Sequence, residues 1–155
     1  MNPSLLTHER LTVLGIDIRT SNAAEGDPGK ARIPSLWARF YAEDILSKAP
    51  GQTTPALPLG VYTDYESDHN GSYRVLAGVA VEDGTRLSEG FGRATVPAGK
   101  YLMFQGEGQM PQVVIKTWMS VWHYFSEPRE HARAYTTDFE LYRGPDAVEI
   151  YIAVK

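Results

Sequence analysis

Two stretches of this chain are variants of one another. Ser35-Leu36-Trp37-Ala38-Arg39-Phe40 and Ser120-Val121-Trp122-His123-Tyr124-Phe125 share the spacing Ser-x-Trp-x-x-Phe. Each sits in helix-like text, follows a strand-like run and precedes two more. A β-α-β-β unit of this size leaves one sheet face bare, so the two copies are expected to pack as one body. The interface between such halves is a natural place for a ligand pocket. On the twin motif, Trp37 and Trp122 are expected at equivalent places about a central cleft.

The first copy opens with a branched, alternating run, Leu11 to Arg19, that predicts a strand. The Gly-, Asp-, Asn- and Pro-rich stretch from Ser21 to Gly29 predicts a loop. A helix is expected over 33–46. Pro34 suits its first turn, and Leu36, Trp37, Phe40, Tyr41 and Ile45 form an apolar stripe. After a loop over 50–58, strands are expected over 59–65 and 73–81. Asn70-Gly71 between them predicts a tight turn with positive φ at both central positions. In the second copy, 90–105 reads as strand, turn at Pro97-Ala98-Gly99, strand. A helix follows over 113–125, ended by Glu127-Pro128. The last hairpin pairs 139–143 with 148–154 around Gly144-Pro145-Asp146. The expected fold class is α+β. One domain spans 1–155, built of pseudo-repeats at about 8–85 and 90–155, with an antiparallel sheet, two helices and a central cleft.

A chain of 155 residues with a 43% hydrophobic and 22% charged composition suits a soluble globular domain. The absence of cysteine excludes disulfides and thiolate chemistry. Neither a secretory leader nor an apolar span long enough for a membrane is legible, so a cytoplasmic, membrane-free protein is expected. A net charge of −4 argues against direct nucleic-acid binding. No cofactor or metal is implied. His8, His69, His123 and His131 lack ligand spacing, and the loop beginning at Asp64 carries Val75 where a calcium loop needs a bidentate glutamate. Gly106-x-Gly108 ahead of the second helix lacks the third glycine of a phosphate-binding turn. No nucleophilic triad is present.

The closing hairpin carries the chemistry. Alternation puts Glu140 and Tyr142 on one face of their strand, and Glu149 and Tyr151 on one face of the next. The apolar faces of both strands are expected to meet the helices. The Glu/Tyr faces then point either to solvent or into an aromatic cleft with a carboxylate at its base. A carboxylate in a dry aromatic box is costly to keep charged and unpaired, so it takes up a proton or waits for a cation. Aromatic faces around such a cation would add roughly 0.5–2 kcal/mol per contact. Phe40 and Phe125 are expected in the core. Trp37, Trp118 and Trp122, with Tyr62 and Tyr101, are the expected walls.

Phe139-Glu140-Leu141-Tyr142 followed by Val148-Glu149-Ile150-Tyr151-Ile152-Ala153-Val154 resembles the C-terminal signature of the GyrI-like family. These are the effector-binding domains of AraC-type and related multidrug-responsive regulators. Val96-Pro97-Ala98-Gly99-Lys100-Tyr101, Gly60-Val61-Tyr62 and Trp118 through Trp122 also fit. The resemblance spans nearly the whole chain and is of the stand-alone kind carried on mobile gene cassettes. It implies duplicated SH2-like β-α-β-β halves around a cleft, with an acidic residue that recognises lipophilic cations. That residue maps onto Glu140, with Glu149 as second choice. With strands expected from Leu11 to the C-terminus, no room is left for the helix-turn-helix of the regulators. The expected partners are therefore a lipophilic cation and a separate DNA-binding or target protein. Two other readings use the same chain. A hydrolase of small electrophiles would employ Glu140 as general base with Tyr142 or Tyr151 as donor, and an adaptor would inhibit a partner protein.

Overall fold

A computed structural model describes residues 3–155; Met1 and Asn2, part of the stretch read above for a leader, lie outside the described residues. The strands are β1 (Ser4–His8), β2 (Leu11–Ser21), β3 (Pro58–Thr63), β4 (Ser72–Val81), β5 (Gly92–Val96), β6 (Gly99–Glu107), β7 (Thr137–Gly144) and β8 (Ala147–Ala153). The helices are α1 (Asn22–Glu25), α2 (Ile33–Ala42), α3 (Ile45–Lys48) and α4 (Gln112–Phe125). All strands join one antiparallel sheet in the order β1-β6-β8-β7-β3-β4-β2-β5. The β-α-β-β layout occurs twice, as β2-α2-β3-β4 and β6-α4-β7-β8, and the two meet where β3 pairs with β7.

Five local expectations are corrected. A strand precedes Leu11: β1 lines the edge of β6, where its backbone pairs without needing a branched sequence. It crosses to the second unit, while β5, which precedes the second unit, pairs with β2 of the first. Each unit therefore borrows its outer strand from the other's leading segment. The Ser21–Gly29 stretch holds the short helix α1, because the Ser21 hydroxyl accepts from the Ala24 N–H at 3.1 Å. The first long helix stops at Ala42 because Asp44 adopts φ 53°, and a single turn, α3, follows. Asn70 and Gly71 do not form a two-residue positive-φ turn. The left-handed residue of that connection is Asp64, at φ 50°, so β3 ends at Thr63 and Tyr65 lies outside it.

The helices cover one face of the sheet. Leu36, Phe40 and Ile45 pack with Ile16, Tyr62, Tyr73, Val75 and Ala77. Val113 and Val121 pack with Leu102, Phe104, Val148, Ile150 and Ile152. Phe40 is fully buried as expected, and Phe125 only partly. The other face carries a third cluster, including Val13, Leu59, Val61, Leu76, Val96, Tyr101, Phe139 and Tyr151. No helix covers it. The sheet curls so that edge strand β5 reaches over β3 and β7, and the apolar face buries itself. No helix among the described residues is long and apolar enough to cross a membrane.

Candidate functional site

The centre of the sheet is the β3–β7 pair, where Gly60 faces Glu140. Glu140 is 1% exposed. Its Oε2 accepts from the Tyr62 hydroxyl at 2.9 Å and from Trp118 Nε1 at 2.6 Å. Its Oε1 accepts from the Tyr142 hydroxyl at 2.9 Å. All three donors are neutral. Burial pushes the Glu140 carboxyl above the usual carboxylate range, against the opposing pull of the bonds from Trp118, Tyr142 and Tyr62. Tyr62 and Tyr142 are driven well above the ordinary tyrosine range by burial and then by the Glu140 charge, so both hydroxyls stay protonated and donating.

The two units supply this site in matching fashion. Trp37 comes from α2 and Trp118 from α4, both partly buried, while Tyr62 comes from β3 and Tyr142 from β7. Trp37 meets the ring of Tyr142 edge-on at 5.2 Å, and Trp118 meets that of Tyr62 at 5.1 Å. Gly60 holds the place opposite the acid. A Cβ there would stand 2.6 Å from Glu140 Oε1 and 3.2 Å from Trp37 Cζ2. The bare backbone of a mid-strand glycine thus makes room for the carboxylate, a role the sequence reading did not assign.

The structural equivalence of the two units is therefore one helical turn out of step with the twin motif. Leu36 and Phe40 are the buried positions flanking Trp37, and Thr117 and Val121 are those flanking Trp118. Trp37 corresponds to Trp118, not to Trp122, which is 46% exposed. Trp122 stacks outward on Trp118 at 6.2 Å, as Tyr41 does on Trp37 at 6.2 Å. Across the β3–β7 pair Glu140 faces Gly60.

Glu149 and Tyr151 do not share a face with Glu140. In the β7–β8 ladder Glu140 is opposite Ile150, and Leu141 is opposite Glu149. Glu140 and Tyr142 therefore look toward the helices with Val148, Ile150 and Ile152. Glu149 and Tyr151 look the other way, with Phe139. Glu149 accepts from Arg143 at 3.0 Å and from the Tyr151 hydroxyl at 2.8 Å, while Phe139 stacks on Tyr151 at 4.4 Å. Tyr101 lies in the same cluster, its hydroxyl bonded to the Pro97 carbonyl. The structure thus brings Trp37, Tyr62, Trp118, Glu140 and Tyr142 together. It places Tyr101, Glu149 and Tyr151 behind the sheet and Trp122 at the rim.

A second buried acid, Asp138, shares the face of Glu140 and was not singled out in the sequence. It is fully buried and pairs with Arg133 at 2.8 Å. It also accepts from the Ala153 N–H at 2.8 Å and the Tyr65 hydroxyl at 2.5 Å.

A curled antiparallel sheet with two helices on one face and a sealed acid under aromatic rings defines an effector-binding domain of the GyrI-like, AraC-associated class. Over residues 4–154 the chain matches the family described as Cass2, integron-associated effector binding protein, and it belongs to that family. Its fold is similar to an integron cassette protein from the mobile metagenome of Vibrio cholerae, with 42% identity and a TM-score of 0.85 over 99% of this chain and 96% of that one. It is 30% identical to YobU of Bacillus subtilis over 163 residues, covering 100% of this chain and 99% of YobU. It is 27% identical to the transcriptional regulator BrlR of Pseudomonas aeruginosa over 99% of this chain but 56% of BrlR. The fold is also that of SAV2435, whose structure holds tetraphenylphosphonium, with 24% identity and a TM-score of 0.78 over 100% of this chain and 94% of that one.

Proposed function

We propose that this chain binds lipophilic organic cations, with Glu140 as counter-ion and Trp37, Tyr62, Trp118 and Tyr142 as the walls of a cleft between the two β-α-β-β units. One observation carries the reading: among the described residues, a carboxylate sealed at the centre of the fold receives hydrogen bonds from three neutral groups and an ion pair from none. Neutral donors leave the desolvation cost of the charge incompletely offset. A cation that brings its own apolar surface offsets it and gains contact with the aromatic faces. The tetraphenylphosphonium held by SAV2435 on the same fold supports this ligand class. The kinship with BrlR supports a place in ligand-responsive regulation, exercised through a separate DNA-binding or target protein.

The test is thermal unfolding with tetraphenylphosphonium and with neutral triphenylphosphine oxide, on wild type and Glu140→Gln. At 100 times the dissociation constant the cation stabilises wild type by about 2.7 kcal/mol. A mutant that responds as wild type does, or equal shifts from the neutral compound, rejects the counter-ion role.

A further inference from the structure

If Glu140 receives a cation, the cation must displace an aromatic side chain, because the acid is 1% exposed. The two covering indoles are not held alike. Trp118 donates its Nε1–H to Glu140 Oε2 at 2.6 Å, a charge-assisted bond, and it packs against both helix-face clusters. Withdrawing it would strip a donor from a buried charge. Trp37 is held by rings: Phe40 at 5.1 Å, Tyr142 at 5.2 Å and Tyr41 at 6.2 Å. Moving it breaks no hydrogen bond to the acid.

The carboxylate also has a free side. Two oxygens offer about four acceptor directions. Oε2 accepts two hydrogen bonds and Oε1 one, which leaves one direction on Oε1. Oε1 lies over the bare backbone of Gly60, and Trp37 Cζ2 closes on the same point, 3.2 Å from where a Cβ would stand. The oxygen with fewer hydrogen bonds and the side-chain-free backbone of Gly60 lie together beside Trp37. Outside it, Tyr41 is 63% exposed and offers a ring against which a displaced indole can rest.

We infer that Trp37 is the gate of the cation site and sets how readily a ligand enters. It swings toward Tyr41 and admits the cation between Gly60 and Glu140 Oε1. Trp118 stays in place as a fixed donor and wall. This inference rests on the cation-binding reading above.

Stopped-flow anisotropy of rhodamine 6G, a flat lipophilic cation, tests it on wild type, Trp37→Ala, Trp37→Phe and Trp118→Phe. Removing the gate should raise the association rate about tenfold, and shrinking it to Phe about threefold, whereas Trp118→Phe, which loses a wall and a donor, should show its effect in faster dissociation. The Phe variant keeps a ring on Phe40 and Tyr142, so it decides the matter if the Ala variant does not melt cooperatively. Unchanged association in the Trp37 variants overturns the gate, as does a tenfold acceleration of association in Trp118→Phe. If wild type binds neither rhodamine 6G nor tetraphenylphosphonium, the cation-binding reading falls and the gate with it. If binding persists and needs Glu140 but the rates run otherwise, the gate alone falls.

Discussion

Asp138 and Glu140 stand two residues apart on β7, share one face and are both buried, yet their surroundings differ in kind. Asp138 is compensated in place by the Arg133 guanidinium, a backbone N–H and a tyrosine hydroxyl. These partners bind the 132–134 segment and the C-terminal strand to the sheet, since Arg133 bridges Val154 and Ala134 bonds Ala153. Among the described residues Glu140 has neutral donors only. On the function proposed above, the first acid is structural and the second answers the charge of a ligand.

The largest effect that can break this contrast is on stability. Arg133→Met leaves Asp138 buried and uncompensated and should cost about 3–5 kcal/mol in urea unfolding. Glu140→Gln should leave stability within about 1 kcal/mol of wild type or raise it, because it removes a charge with no ionic partner. Equal costs for the two would erase the distinction. Next comes affinity: Glu140→Gln should weaken tetraphenylphosphonium binding by about 2–3 kcal/mol in calorimetry. Trp118→Phe, which removes a bond to a charged acceptor, should lower stability by about 1.5–3 kcal/mol at neutral pH. The pH dependence sharpens the contrast further. Since folding raises the Glu140 pKa above 4.5, its stabilising contribution is complete below the unfolded value and lost as pH rises through the folded one. Wild type should therefore lose stability relative to Glu140→Gln as pH rises above 4.5. Cation affinity should climb over the same window, as the carboxylate sheds the proton the ligand replaces; a flat affinity profile would mean that the acid is not the counter-ion. The smallest effect is expected at Glu149→Gln. It should change stability by less than about 1 kcal/mol and leave cation affinity unchanged, because the side chain lies behind the sheet.

How far the sequence could be read depended on the range of the interaction involved. The helix expected over 113–125 formed over Gln112–Phe125, because its apolar spacing is local. The strands over 73–81 and 148–154 formed within a residue or so, for the same reason. Glu140 and Tyr142 were legible as partners because alternation along one strand needs no tertiary information. Glu149 was misplaced because the face it shares depends on the β7–β8 register, which the irregularity between Tyr142 and Gly144 sets. Trp118 and Trp122 are one turn apart on one helix, and sequence spacing alone does not say which of them meets the sheet.

The α+β class, the repeated β-α-β-β layout, the family kinship and an acid among aromatic residues are all legible in the chain's residues alone. These follow from local periodicity and from side-chain chemistry carried by single positions. Long-range packing set the rest: Gly60 faces Glu140, Trp118 rather than Trp122 is its donor, and among the described residues Asp138 has a cation while Glu140 has none. Those are relations between residues distant in sequence. They exist only once β3 and β7 pair and the two helices settle on one face of the sheet.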